Sequence, residues 1–259
     1  KLLNLEKQGI GFFPSLSSLA PLVDKISQRE LLAELSIPGP KWIPLSEIAL
    51  ASPKLPVGWE YPLMAKSARG GYDGKGTRVI TTNKDLRLLL ASINPANWML
   101  ESWVSYEREL ALVASRDSKG QIRFLPLAET HQSHQVCDWV VAPACVGHSV
   151  EAMAFNITAS ILTHLQYVGV IAIEFFYGKD GLQVNEIAPR THNSAHFSIE
   201  ACTSSQFDQQ LCITAGLPVP SPELISSGAL MVNLLGPTET NLSSINKRLE
   251  ALQRVKDFN

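Results

Sequence analysis

The sequence predicts an α+β fold, with strands and helices in separate groups, rather than a doubly wound parallel sheet. Short β-rich runs follow one another across turns containing Gly and Asp, as the strands of antiparallel hairpins do. Helical stretches stand between these groups instead of after every strand, so the regular alternation of a parallel sheet is missing. At 259 residues, with 45% hydrophobic and 18% charged residues, the chain can bury a substantial core in the manner of an ordinary globular protein.

Taken in order, residues 1–40 read as helical, and Pro38-Gly39-Pro40 ends the segment Asp24 to Ser36, because proline lacks an amide donor and clashes with the preceding turn. Tyr61 to Ser67 reads as a strand leading into a glycine-rich turn, with Arg78 to Thr82 as its return strand. Asp85 to Ile93 follows as a helix, then Trp98 to Val104 and Glu109 to Arg116 as strands. Asp117-Ser118-Lys119-Gly120 supplies turn chemistry before a strand over Gln121 to Leu127. Ser149 to Tyr167 has a helical period and is capped near Gly169. Val170 to Tyr177 and Leu182 to Ile187 form strands around the turn Gly178-Lys179-Asp180-Gly181. Helices are expected at Ser205 to Ala215 and Ser243 to Val255, separated by a Pro-rich stretch and the apolar run Leu230 to Leu235. No internal repeat or low-complexity segment stands out.

Bulk properties narrow the function. A net charge of −2 provides no footprint for nucleic acid or an anionic membrane, and no local basic patch replaces it. No apolar run reaches the roughly 18–20 residues that span a bilayer. Lys1-Leu2-Leu3-Asn4 lacks the apolar core of a signal peptide, and the absence of an initial Met suggests a piece of a longer protein. Cys137, Cys145, Cys202 and Cys212 show no CxxC spacing, so reduced thiols in a cytosolic protein are expected and zinc is not.

Four signals bear on chemistry. In Lys66-Ser67-Ala68-Arg69-Gly70-Gly71-Tyr72-Asp73-Gly74-Lys75-Gly76, closely spaced glycines let backbone amides converge on a phosphate, and Lys66, Arg69 and Lys75 add positive charge. The run is not a Walker A loop, since the glycine required five residues before Gly74 falls at Arg69. A hairpin turn with incidental lysines has the same composition. Secondly, a hairpin centred on Asp180 would oppose Glu174 and Glu186 on one sheet face, where like charges repel and a divalent cation resolves the conflict. Asn185 would be a further oxygen ligand if the strand end twists, whereas a register shift of one residue would turn one glutamate to solvent. Thirdly, Ala188-Pro189-Arg190-Thr191-His192-Asn193-Ser194-Ala195-His196 offers a fork for an anion and donors for a carbonyl or carboxylate, although a solvated loop can share that composition. Its place directly after the carboxylate hairpin points it at the same cavity. Fourthly, Glu101 and Glu109 flank a short turn between two strands, where a strand edge can read adenine and a carboxylate can hold ribose. That last pattern is common.

Together, in this order, the motifs resemble the ATP-grasp superfamily. Arg69 to Gly76 and Asn185-Glu186-Ile187-Ala188-Pro189-Arg190-Thr191-His192-Asn193-Ser194 are close to the signatures of the 5-(carboxyamino)imidazole ribonucleotide synthases. Phe13-Pro14-Ser15, Glu129-Thr130, Gly169-Val170, Ser205-Gln206-Phe207 and Gly216-Leu217-Pro218 agree, so the resemblance runs over nearly the whole chain. It implies two α+β subdomains clasping a nucleotide: a lid subdomain at 56–104 and a large subdomain at 105–222. Residues 1–55 would be the end of a preceding domain with linker helices, and 223–259 the start of a small C-terminal domain. The resemblance assigns the ATP phosphates to Lys66 and to Gly71, Tyr72, Asp73, Gly74, Lys75, Gly76 and Thr77. It assigns the adenine hinge to Glu101, Ser102, Trp103 and Val104, the ribose to Glu109, further nucleotide contacts to Gln132 and Asn185, and Mg to Glu174 and Glu186. Arg190, His192, Asn193 and Ser194, with Tyr72 and Asp73, would face bicarbonate and aminoimidazole ribonucleotide.

The implied reaction is ATP-dependent carboxylation of that ribonucleotide through carboxyphosphate, in purine biosynthesis, with no covalent enzyme nucleophile. A closing glycine-rich lid would protect the labile carboxyphosphate from water. Family members carry an α/β domain ahead of the point where Lys1 falls and a basic segment past Asn259, and His often stands where this chain has Gln132. The resemblance further implies a homodimer and a cytoplasmic location, with a plastid as the alternative. Rival readings are a formate-dependent transformylase, a biotin carboxylase or a nucleotide-binding module without turnover. The first two should differ at Arg190 to Ser194.

Overall fold

Two antiparallel sheets organise the chain in the computed structural model, which describes residues 1–50, 52–70, 76–133 and 136–233 together with Asn246, Lys247, Glu250 and Arg254. The N-terminal part supplies α1 (Leu2–Lys7), α2 (Leu16–Leu19) and α3 (Lys25–Glu34). The smaller sheet contains β1 (Trp42–Pro44), β2 (Leu63–Ser67), β3 (Thr77–Ile80) and, after α4 (Asn83–Ser92), β4 (Trp98–Ser102), in the order β1-β4-β2-β3. The larger sheet is built from β5 (Arg108–Arg116), β6 (Ile122–Phe124), β7 (Ala128–Ser133), β8 (Val136–Ala142), α5 (His148–His164), β9 (Gly169–Gly178), β10 (Gly181–Ala188), α6 (Ser198–Ala201), α7 (Gln206–Thr214) and β11 (Ala229–Val232). Its strands run β10-β9-β5-β7-β8-β11, with β6 on the far half of β5. The expected α+β class is what the chain adopts.

The large sheet is apolar on both faces. On β5, Leu110, Leu112 and Ala114 pack with β9 and β10 residues against α5 and α3, through Ile161, Leu162, Leu31 and Leu32. Val113, on the alternate face, joins Val140, Val170 and Ala172 beneath Ala195 and Phe197. Burial on both sides explains why Leu110 to Ala114 reads as a continuous apolar run. The small sheet covers one face with α4, whose Leu86, Leu89 and Leu90 meet Leu63, Ala65 and Leu100.

Local chemistry sets the helix ends. Asp24 caps α3, its carboxylate accepting from the amides of Ile26 and Ser27 at 3.0 and 3.3 Å. Ser205 and Asp208 form a reciprocal capping box on α7. Past α5 it is Gln166, at φ 48°, that takes the left-handed conformation, not Gly169 as the sequence suggested. Gly169 opens β9 at φ 147° instead, where an added Cβ would come within 3.3 Å of Tyr167.

Several expectations need correction. Residues 1–40 are helical only in three short α-helices, of which α3, capped by Asp24, is the segment expected from Asp24 to Ser36. The strand at 121–127 shrinks to Ile122–Phe124. Residues 42–44, placed with a preceding domain, pair with β4 as the edge of the small sheet. Residues 229–232, placed with a C-terminal domain, pair with β8. Strands β7 and β8 were not anticipated. The Ala128-Glu129-Thr130-His131-Gln132-Ser133 run is polar, and its strand conformation comes from pairing with β5 and β8 on either side. Glu101 and Glu109 lie on two strands joined by a short connection, as expected, and those strands, β4 and β5, belong to different sheets. Of the helix expected at 243–255, only Asn246, Lys247, Glu250 and Arg254 are among the described residues, the first three of them helical.

Candidate functional site

The β9–β10 hairpin builds the floor of the site through a bulge. Gly178 pairs with Gly181, so the turn is the two-residue loop Lys179-Asp180 rather than one centred on Asp180. Continued without interruption, that register would set Glu174 opposite Asn185. The register instead shifts between Val184 and Glu186, and Glu174 faces Glu186 as expected, for a different reason. The bulge also changes parity along β10. Leu182, Val184 and Ile187 enter the core, while Asn185 and Glu186 both stay outside it. No twist of the strand end is required.

Above this floor, two cations share one carboxylate. Glu101, 2% exposed, contacts Lys66 Nζ at 2.8 Å through Oε2 and Arg29 Nε at 2.6 Å through Oε1. Lys66 Nζ also donates to Asn185 Oδ1 at 3.0 Å, which joins the small sheet to the bulge. Burial alone would push the Glu101 carboxyl up, but Lys66 and Arg29 outweigh it and hold it below the usual range. Burial lowers the Lys66 pKa, since half of a carboxylate compensates it incompletely and Arg29 and Lys25 stand nearby. Arg29 further donates to the carbonyls of Val184 and Asn185 at 2.8 and 2.7 Å. Lys25, one turn earlier on α3, meets Glu186 at 2.5 Å.

Glu174 lies deeper, with 25% of its side chain open to the cleft. Burial, then the charges of Glu186 and Glu109, raise its pKa to about 7. Glu109 pairs with Phe176, two residues along β9, so all three carboxylates share one sheet face. Burial raises Glu109 as well, and Tyr106 Oη donates to it at 2.5 Å. Repelling carboxylates with oxygen-only donors suit a hard divalent cation such as Mg, which takes one or two carboxylates plus phosphate oxygens and water. No closed cluster of three or more His, Cys, Asp or Glu side chains occurs among the described residues, and such a cation needs none.

After β10, the loop closes over the same face. His192 Nε2 lies 3.6 Å from Glu174 Oε1, and its Nδ1 lies 2.9 Å from Ser194 Oγ. Burial, then the neighbouring Arg190, lower the His192 pKa to about 4, so the contact with Glu174 involves a neutral imidazole rather than an ion pair. Gln206 fixes the loop from below: its Oε1 accepts from the His192 amide at 2.8 Å and its Nε2 donates to the His192 carbonyl at 2.7 Å. Gln28 does the same at Ile187, accepting from its amide at 3.1 Å and donating to its carbonyl at 2.8 Å. Asn193 Oδ1 is buried without a hydrogen-bond partner among the described residues. Arg190 is exposed, with Nη1 on the Thr191 carbonyl.

Lys66, Asn185, Glu186, Glu174, His192 and Ser194 are thus linked in one chain, through side-chain contacts, adjacency along β10 and the Glu174–Glu186 register. Glu101 belongs to the group by its side chain, and its backbone is enclosed between β1 and β2, so it offers no strand edge. The Ser102 amide is likewise used, by the Lys41 carbonyl. Trp103 and Val104 follow the end of β4, where Trp103 is 48% exposed. Gln132 pairs with Cys137 on β8. Burial pushes the Cys137 thiol up to about 11, which keeps it protonated. Gly76 accepts from the Ser67 amide at 2.7 Å, and Thr77 pairs with Lys66. Gly71, Tyr72, Asp73, Gly74 and Lys75 lie outside the described residues. Sequence reasoning missed Lys25, Gln28, Arg29 and Gln206. A basic pair spaced i, i+4 ahead of Pro38 was the available signal for Lys25 and Arg29; Gln206 stood in the agreeing Ser205-Gln206-Phe207 segment without a role, and nothing local marks Gln28.

Comparison with known proteins agrees with this geometry. The ATP-grasp domain model matches residues 30–207. N5-carboxyaminoimidazole ribonucleotide synthase of Synechococcus elongatus is 40% identical over 97% of the chain, and that of Synechocystis sp. 42% over 96%. The chain spans 64% of the length of each. An Aspergillus clavatus carboxyaminoimidazole ribonucleotide synthase complexed with ATP superposes with a TM-score of 0.87 at 28% identity, over 98% of this chain and 67% of that one. A second structure from that organism, with ADP and 5-aminoimidazole ribonucleotide, reaches 0.84 at 26% identity, with 98% and 66% coverage. With the matched domain covering most of its length and the two-sheet cleft in place, the chain belongs to the ATP-grasp family.

Proposed function

We propose that the chain is the nucleotide-binding and catalytic portion of an ATP-dependent ligase that carboxylates 5-aminoimidazole ribonucleotide through carboxyphosphate made from bicarbonate. The observation that carries this reading is the contact of Lys66 with Asn185, next to the opposed pair Glu174 and Glu186, in the cleft between two sheets. The relatives' names, and the ATP and ribonucleotide complexes of the Aspergillus enzyme, supply the substrate class.

Each residue has a task in this reading. Lys66 and the 71–77 loop hold the phosphates, where buried positive charge and backbone amides act strongly on a transferring phosphoryl group. Trp103 and Val104 flank the base, Glu109 and Gln132 the rest of the nucleoside. Glu174 and Glu186, with Asn185 adjacent, would hold Mg, which neutralises phosphate charge when bound. Arg190, His192, Asn193 and Ser194, with Tyr72 and Asp73, face bicarbonate and the amine to be carboxylated. Neutral His192, oriented by Ser194, serves as a hydrogen-bonding group rather than a fixed cation.

Calorimetry of MgATP binding to the wild-type chain and to Glu186→Ala tests the reading. Mg-dependent binding that disappears in the variant supports it. Equal binding by both removes the metal assignment. Phosphate release that needs bicarbonate and the ribonucleotide together separates a ligase from a passive binding module.

A further inference from the structure

Arg29 makes three side-chain contacts that tie the small sheet to β10, although it lies on α3, outside every motif read as contacting ligand. Its side chain is 4% exposed. Nε contacts Glu101 on the small sheet at 2.6 Å, while Nη1 and Nη2 donate to the Val184 and Asn185 carbonyls at 2.8 and 2.7 Å. Those carbonyls flank the register shift, where a bulge leaves backbone groups without regular ladder partners. The two acceptors of Lys66 are the other Glu101 oxygen and the side chain of Asn185. Arg29 therefore bonds one of them directly, the Glu101 carboxylate, and anchors the backbone that carries the other, at Asn185, one on each sheet.

We propose that Arg29 is the positioning residue for Lys66: its planar fork fixes Glu101 and the Asn185 bulge in the one arrangement that aims the Lys66 ammonium into the cleft. This rests on the reading of Lys66 as a phosphate-holding group. The chemistry favours arginine, because a guanidinium spreads its donors over three nitrogens in fixed directions, whereas a lysine in its place gathers its donors on a single nitrogen and cannot span acceptors set that far apart. Lysine at position 29 keeps a positive charge near Glu101 but cannot also hold both bulge carbonyls. Methionine loses the charge and the bonds and preserves much of the buried stem.

The test compares wild type, Arg29→Lys and Arg29→Met in two measurements. In ¹⁵N-lysine spectra without nucleotide, an ammonium held by Glu101 and Asn185 gives a slowly exchanging Nζ signal, assigned by its loss in Lys66→Arg. The proposal expects that signal to shift and exchange faster in Arg29→Lys, and more so in Arg29→Met, while melting stays cooperative. MgATP affinity should fall about tenfold or more in both, the scale usual when a residue supporting a ligand-binding group is removed. Variants that melt earlier but keep the Lys66 signal and the MgATP affinity of the folded protein would assign Arg29 to stability alone and overturn the proposal. If Arg29→Met does not fold, Arg29→Lys decides by the same criteria. Should wild type show the ordered Lys66 signal yet bind no MgATP, the nucleotide reading fails, and the response of the signal to Arg29→Lys still judges the positioning role.

Discussion

Glu174 makes the state of the site depend on pH. Its folded pKa of about 7 exceeds the ordinary carboxyl value of 4.5, so the folded chain holds a proton that the unfolded chain has released between those values. The sign follows: this group's stabilising contribution is full below about pH 4.5 and is lost as pH rises through about 7. Glu174→Gln should flatten the stability profile over that window and be about 2 kcal/mol more stable than wild type near pH 8. Urea melts at pH 5 and pH 8 measure this, and an unchanged difference between the two pH values would remove Glu174 as its source. A bound cation must displace the same proton. MgATP binding at pH 6.5 should then release a fraction of a proton, seen as a dependence of binding heat on buffer ionisation, and release none at pH 8.5. The cysteines have no such part. With the Cys137 thiol held protonated by burial, simultaneous Cys→Ser changes at Cys137, Cys145, Cys202 and Cys212 should leave MgATP affinity within about threefold, and abolished binding would contradict this.

At the scale of elements, the hairpin of β9 and β10 joins sequence to function most directly. Its turn residues and its two glutamates were legible, and so was their opposition. The bulge was not, because no residue type marks a register shift, and the shift depends on Arg29 and Pro38 capturing backbone groups of β10 from outside the hairpin. Deleting Asn185 tests the element as a unit. The hairpin can then continue in its initial register, with Glu186 taking the facing position but no side chain left to meet Lys66. Near-native far-UV circular dichroism with MgATP affinity reduced at least about tenfold is expected, and retained affinity would deny the bulge its role. The polar strand β7 was illegible for a related reason, since its conformation is dictated by its neighbours.

For the molecule as a whole, the strand groups and the order of motifs foretold an α+β chain, and the comparisons place it among ATP-grasp proteins. Connections between the sheets were not foreseeable, because Arg29, Glu101, Lys66 and Asn185 meet across separations of 72 and 119 positions for which no periodicity exists. Ligand that bridges the cleft should stabilise the whole fold. At a hundredfold excess over its dissociation constant, MgATP should add about 2.7 kcal/mol of stability, read as a rise in melting temperature that Glu186→Ala lacks.

The paired glutamines give the loop after β10 the character of a measured span. Gln28 grips Ile187 and Gln206 grips His192, each through both backbone groups, so Pro189 to Thr191, beyond the last ladder pair at Ala188, hangs between two fixed posts. Side chains along such a span can be exchanged while its path is kept, but its length cannot change. One residue inserted there has no slack to occupy and must bow out of that path, shifting His192 against Glu174. Length, more than composition, is what this stretch has to preserve.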